Sequence, residues 1–212
     1  MSSFVRTTLL LLLMALGLPA YSTDSTETKI LLFGDSIIAG YGLAENDSIA
    51  VQLEKYMKDH QKNVKIVNAG VSGDTTSAGR SRLAWTLKRN KPDLVFLALG
   101  GNDVLRGFQP SMTKDNLDAM LSTLQESNTP VILSKVQPPT SLGEDYMMQL
   151  KESYESLAQN YKVPLYPFLL EPIFTTPEYM QKDGIHPSAA GVLHIVPALG
   201  DFMIENLEKL DH

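Results

Sequence analysis

The sequence predicts an α/β protein, a three-layer α/β/α sandwich around a five-stranded parallel sheet in the flavodoxin-like order 2-1-3-4-5. Two observations carry that expectation. Short apolar runs alternate with longer amphipathic stretches, as repeated βαβ units require. The short runs also lack polar alternation, so both faces of each strand should be covered, as in a parallel sheet.

The strand candidates are KILLF (29–33), VKIVN (64–68), LVFLALG (94–100), VILSKV (131–136) and PLYPFL (164–169). The first reads as a buried strand that Gly34 stops. Helix candidates fill the gaps at 47–60, 75–90, 113–127 and 143–161, and a last one spans 188–210. For the helix at 75–90, Asp74 or Thr75 is the expected N-cap. Pro187 and Ser188 mark the start of the last helix. No repeat, low-complexity tract or linker interrupts the pattern, so one domain is expected over 23–212.

Composition narrows the function classes. The chain has 212 residues, 43% hydrophobic and 20% charged, enough for one full core. A net charge of -6 without a dense basic block argues against a nucleic-acid partner. The absence of cysteine excludes disulfides, thiolate metal sites and a lipid-modified N-terminal cysteine. MSSFVR carries one positive charge, an apolar run occupies 9–16, and Ala20 and Ser22 are small residues spaced for cleavage. This reads as a signal peptide over 1–22, giving a soluble periplasmic or secreted protein. An uncleaved anchor is the alternative, although the apolar run is short against the ~20 residues of a spanning helix.

In an open α/β sheet, ligands bind beyond the strands' carboxyl ends where strand order reverses. The predicted order puts that crevice between strands 1 and 3, so the segments after Phe33 and Leu99 matter. The first is Gly-Asp-Ser and the second is Gly-Gly-Asn-Asp. Both could be plain turns. Gly100 and Gly101 allow a sharp turn and close approach to a ligand, Asn102 offers an uncharged amide donor, and Asp103 could fix the loop. After strand 2, NAGVSGDTT (68–76) presents a Gly-rich loop opening a helix, suited to an anion or a developing oxyanion. A nucleotide reading fails, because neither that loop nor GYGLAE (40–45) has a GxGxxG or GxxxxGK[ST] pattern.

A serine nucleophile needs a base, and the chain has four histidines. His60 sits in a charged helix end, His194 lies within an apolar helical stretch, and His212 is the last residue. His186, in KDGIHPS, follows Asp183 by one tight turn, so the carboxylate can hold the imidazole Nδ1–H and leave Nε2 free.

Four blocks together resemble the SGNH, or GDSL-type, hydrolases, in particular their exported thioesterase, lysophospholipase and arylesterase branch. They are FGDSIIAGYGL, NAGVSGDTTSAGRSRL, LALGGNDVLRG and DGIHPS, and they span the chain beyond the leader. The resemblance implies the SGNH fold, with Ser36 as nucleophile, His186 as base and Asp183 orienting it. It also implies an oxyanion hole made by the backbone N–H groups of Ser36 and Gly73 and the Asn102 side chain. Ile37 stands where the motif's name has leucine. The α/β-hydrolase elbow GxSxG is absent, since position 38 is isoleucine.

The reaction so implied is hydrolysis of acyl esters and thioesters, lysophospholipids among them, through an acyl-serine, with no metal or cofactor. Leu105 and Phe108, beside Asn102, and Ile185, beside His186, could line an acyl pocket or merely seal the sheet's end. The alternative enzyme reading is a polysaccharide or sugar O-acetyl esterase. The non-enzymatic alternative is a lipid- or carbohydrate-binding protein on the same scaffold, against which the intact Ser, Gly, Asn, Asp and His set argues.

Overall fold

The computed structural model describes residues 27–210, and the leader expected over 1–22 lies outside the described residues. Five parallel strands form one sheet in the order β2-β1-β3-β4-β5. They are β1 (Thr28–Gly34), β2 (Val64–Gly70), β3 (Leu94–Ala98), β4 (Val131–Ser134) and β5 (Leu165–Tyr166). The helices are α1 (Ser36–Ala39), α2 (Ile49–Asp59), α3 (Thr76–Asn90), α4 (Gly101–Leu105), α5 (Pro110–Glu126), α6 (Glu144–Tyr161) and α7 (Ala189–Leu210).

The covered sheet explains the unbroken apolar runs. Along β1, Ile30 and Leu32 enter the core layer that includes Ile49 and Leu53 of α2 and Val192 and Leu199 of α7. Leu31 and Phe33 enter the opposite layer with Leu83 of α3, Leu117 of α5 and Tyr154 of α6. All four β1 residues have no exposed surface. At about 25 cal/mol per Å² of apolar area, burial on this scale dominates the folding free energy.

Several boundaries differ from expectation for local reasons. The third strand ends at Ala98, because Gly100 takes φ +123 as the N-cap of α4. The fifth keeps only Leu165 and Tyr166, since Pro167 has no N–H to continue the ladder. The α5 helix starts earlier than expected, with Pro110 in its first turn, where a missing N–H costs nothing. The short helices α1 and α4 were not expected at all, and both lie at the functional end of the sheet.

Candidate active site

Strand register brings the three motif loops to one edge. Gly34 pairs with Gly70 on β2 and with Ala98 on β3, so the three strands end in one row. Just beyond that row stand Ser36 at the start of α1, Gly73 in the loop before α3, and Asn102 in α4. Asp35 caps α1, its carboxylate accepting from the Ile37 N–H at 3.0 Å, and so fixes the first turn that carries Ser36.

The fourth block arrives from the far end of the chain. An isolated antiparallel bridge between Met180 and Pro187 closes a turn over 181–186. Asp183 Oδ1 accepts from the N–H groups of Ile185 (2.9 Å) and His186 (3.1 Å). Its Oδ2 lies 2.7 Å from His186 Nδ1, and His186 Nε2 lies 2.8 Å from Ser36 Oγ. The His186 bond and the two amides hold the Asp183 carboxyl down at about 2. An ionised carboxylate only accepts, so Nδ1 carries the imidazole proton and Nε2 accepts from the Ser36 hydroxyl. Among the described residues His186 is the histidine that meets Ser36, since His60 Nδ1 bonds to the Tyr56 carbonyl and His194 Nδ1 to that of Ala190; His212 lies outside the described residues.

Three donors stand on the segments that follow β1, β2 and β3. The Ser36 N–H opens a helix, where no intrahelical acceptor exists. Gly73 has φ +85 at the third position of a turn closed by Asp74 N–H donating to the Val71 carbonyl at 3.1 Å, a type II geometry that favours glycine. The Asn102 amide Nδ2 donates to the Asp74 carbonyl at 3.0 Å, leaving its second hydrogen free for another acceptor. Asp103 does fix the loop, as its carboxylate accepts from both the N–H (2.8 Å) and the hydroxyl (2.5 Å) of Thr76. Thr75 is the N-cap of α3, accepting from Ala78 N–H at 3.3 Å.

Other functional residues escaped the sequence reading. Asp74 is not a cap; its carboxylate pairs with Arg82 Nε at 2.6 Å. The same guanidinium donates to the Gly34 carbonyl at 3.0 Å and lies 3.8 Å over the Phe33 ring, tying the end of β1 to the Gly73 loop. Arg106 adds a 3.0 Å bond to the Gly73 carbonyl. The Asp35 carboxyl is buried, which pushes it up to about 6 although the Ile37 N–H and His186 favour its charged form. Tyr41 packs its ring on His186 with centroids 4.6 Å apart. Its flanking glycines in AGYGL were the only sequence signal, and they indicate a turn rather than a ring contact.

Leu105 (60% exposed) and Ile185 (41%) stand open to solvent, so neither seals the sheet. Phe108 is half-buried, its carbonyl accepting from the Tyr146 hydroxyl at 2.8 Å. A small cavity of about 50 Å³ is lined by Asp35, Ile37, Gly101, Ser134, Val136 and Phe168, among others. A groove of about 610 Å³ runs along α2 and β2 between charged residues such as Glu54, Lys55 and Lys65, and contains none of the site residues.

A parallel sheet in this order, with Gly-Asp-Ser after its first strand, Gly-Gly-Asn-Asp after its third and Asp-x-x-His before its last helix, defines the SGNH class of hydrolase. The profile of the GDSL-like Lipase/Acylhydrolase family matches residues 32–192, and the chain belongs to that family. It is 36% identical over 188 residues to an arylesterase of Vibrio mimicus, covering 89% of this chain and 92% of that one. It is 35% identical over 181 residues to the thioesterase 1/protease 1/lysophospholipase L1 of Escherichia coli K12, covering 85% and 84%. Among solved structures, the SGNH-hydrolase family esterase AlinE4 superimposes with a TM-score of 0.72 at 40% identity, covering 85% of this chain and 97% of that one.

Proposed function

We propose that this carboxylic ester hydrolase works by acyl transfer to Ser36 and then to water. The observation that carries the reading is the continuous relay from Asp183 through His186 to Ser36, with bonds of 2.7 and 2.8 Å. Ser36 Oγ attacks the carbonyl carbon while His186 Nε2 takes its proton. The carbonyl oxygen becomes negative and is met by the N–H groups of Ser36 and Gly73 and by Asn102 Nδ2. The intermediate collapses, Nε2 returns the proton to the departing alcohol or thiol, and an acyl-serine remains. Water, deprotonated by the same nitrogen, attacks the acyl carbon and releases the acid and Ser36.

The relatives' names, arylesterase and thioesterase/lysophospholipase, support aryl and alkyl acyl esters, thioesters and lysophospholipids as the substrate class. Exposed Leu105 and Ile185, adjoining Asn102 and His186, and the half-buried Phe108 supply apolar surface for the acyl chain. The leader read over 1–22 makes the enzyme an exported one, checked by N-terminal sequencing of periplasmic protein.

The decisive test pairs Ser36→Ala with organophosphonate labelling. The native enzyme should hydrolyse p-nitrophenyl acyl esters and take up one phosphonate, while the alanine variant does neither and keeps its Tm. Labelling of the alanine variant at the native rate would remove Ser36 from its role. Running the esters from C2 to C16 beside an acyl-CoA, a lysophospholipid and an acetylated sugar fixes the substrate class.

A further inference from the structure

His186 must meet Ser36 within a few tenths of an ångström, yet the two lie 150 residues apart and His186 sits on an exposed turn rather than on a strand. A second connection runs beside the Oγ–Nε2 bond. The Tyr41 N–H donates to the Ser36 carbonyl at 3.0 Å. The Tyr41 carbonyl accepts from the Gln181 carboxamide Nε2 at 2.7 Å. That nitrogen spends its other hydrogen on the Pro187 carbonyl at 3.0 Å, and the Gln181 backbone N–H donates to the His186 carbonyl at 2.7 Å. The bonds Ser36–Tyr41–Gln181–His186 thus form a closed ring with the Oγ–Nε2 contact. Gly40 and Gly42, at φ +77 and +74, let the chain double back after α1 and turn the Tyr41 ring onto the imidazole, tilted by 38°.

We propose that Tyr41 and Gln181 form a brace for the catalytic histidine, Gln181 fixing its turn against the serine loop and the Tyr41 ring face stabilising the imidazolium. The proposal rests on the acyl-transfer reading of Ser36 and His186. An aromatic face attracts a cation and does little for a neutral imidazole. The imidazolium exists only after Nε2 has taken the serine proton, so the ring acts on the transition state rather than on the bound substrate. Both are positioning residues. Among the described residues, Asp183 bonds to the imidazole from its own turn, Asp35 at the β1–α1 junction acts on it through its charge and the Tyr41 phenol ring packs on it, while Lys182 is an exposed residue of the same turn.

The test uses Tyr41→Leu, Tyr41→Phe and Gln181→Leu, with steady-state kinetics on a p-nitrophenyl ester across pH. Tyr41→Leu should lose about 3- to 10-fold in kcat with KM little changed. Its acid limb should move down by about half a pH unit, because the cationic form loses its ring. Tyr41→Phe keeps the face and should recover most of the lost turnover. Gln181→Leu should lower kcat by a similar factor. Asp35 and Asp183 are common to all variants and cancel in the comparison.

A second readout needs no turnover: NMR titration of the His186 ring in a Ser36→Ala background, with and without Tyr41→Leu, should show the same downward displacement. An unmoved titration, or a loss of kcat that follows Tm with the acid limb in place, overturns the ring's part. Unchanged kcat in Gln181→Leu overturns the tether. Undiminished activity in His186→Ala would instead sink the acyl-transfer reading, while the NMR titration still reads the Tyr41–His186 contact.

Discussion

Asn102 and Asp74 are joined by one bond, the side-chain Nδ2 of the first donating to the main-chain carbonyl of the second at 3.0 Å. That bond fixes the plane of the amide and leaves its second hydrogen for the oxyanion role proposed above. A positioned donor of this kind is worth about 10² to 10³ in kcat. Asn102→Ala should therefore lose turnover by that order with KM little changed, and Asn102→Asp should do worse, having no proton to offer. A residue serving only the turn would lose Tm and keep kcat, so both are measured on one preparation.

Arg82 ties the Asp74 loop to the end of β1. Its guanidinium spans the Asp74 carboxylate and the Gly34 carbonyl, and both side chains of the ion pair are largely covered, at 21% and 11% exposure. Removing one partner strands a covered charge, at a cost of about 3 kcal/mol. Arg82→Met should show that loss in urea unfolding together with a fall in kcat. Arg82→Lys should recover only part of both, because an ammonium lacks the planar fork that reaches two acceptors. A methionine variant as stable as wild type would mean that the strut carries no load.

The physical reason for each reading decides how much of this was legible in the sequence. Strands buried on both faces announce themselves as unbroken apolar runs, and β1 was read within one residue of each end. The Asp183–His186 turn was legible because its bonds span three residues. Arg82 was not, since its partners lie 8 and 48 residues away and it reads as one more charge on a helix. Asp35 looked like a turn residue because burial is a property of the assembled sheet end. Helices of four and five residues such as α1 and α4 are too short to show a period.

Asp183 gives a prediction about both tautomer and pH. Its carboxyl is held at about 2, chiefly by the His186 bond, so it stays ionised at any pH where the enzyme is assayed and leaves the acid limb of activity to other groups. Asp183→Asn should fold but lose about 10⁴ in kcat, because the imidazole tautomer is no longer fixed. A folded-state value below the unfolded one means that the stability it contributes is present above about 4 and lost as pH falls towards 2. The wild type should therefore lose more Tm than the asparagine variant between pH 5 and pH 2.5 (both on the order set by those values). An asparagine variant within a few-fold of wild-type kcat would require another acid to orient His186.

Asp35 should behave in the opposite sense. Burial raises its carboxyl from 3.8 to about 6, so the folded protein holds this proton more tightly than the unfolded chain does. Stability then falls as pH rises through that interval and stays lower above it, by on the order of 3 kcal/mol for a displacement of this size. Asp35→Asn keeps an oxygen that can accept from the Ile37 N–H, so the cap on α1 survives, and removes the buried charge. The variant should gain several degrees in Tm relative to wild type at pH 8 (roughly 2–4 °C per kcal/mol for a domain of this size), and the gain should shrink towards pH 4. Loss of the cap alone would lower Tm equally at both pH values. A variant that is relatively weaker at pH 8 than at pH 4 would show that the charged Asp35 is stabilised in place by His186 and the Ile37 amide, outweighing the cost of its burial.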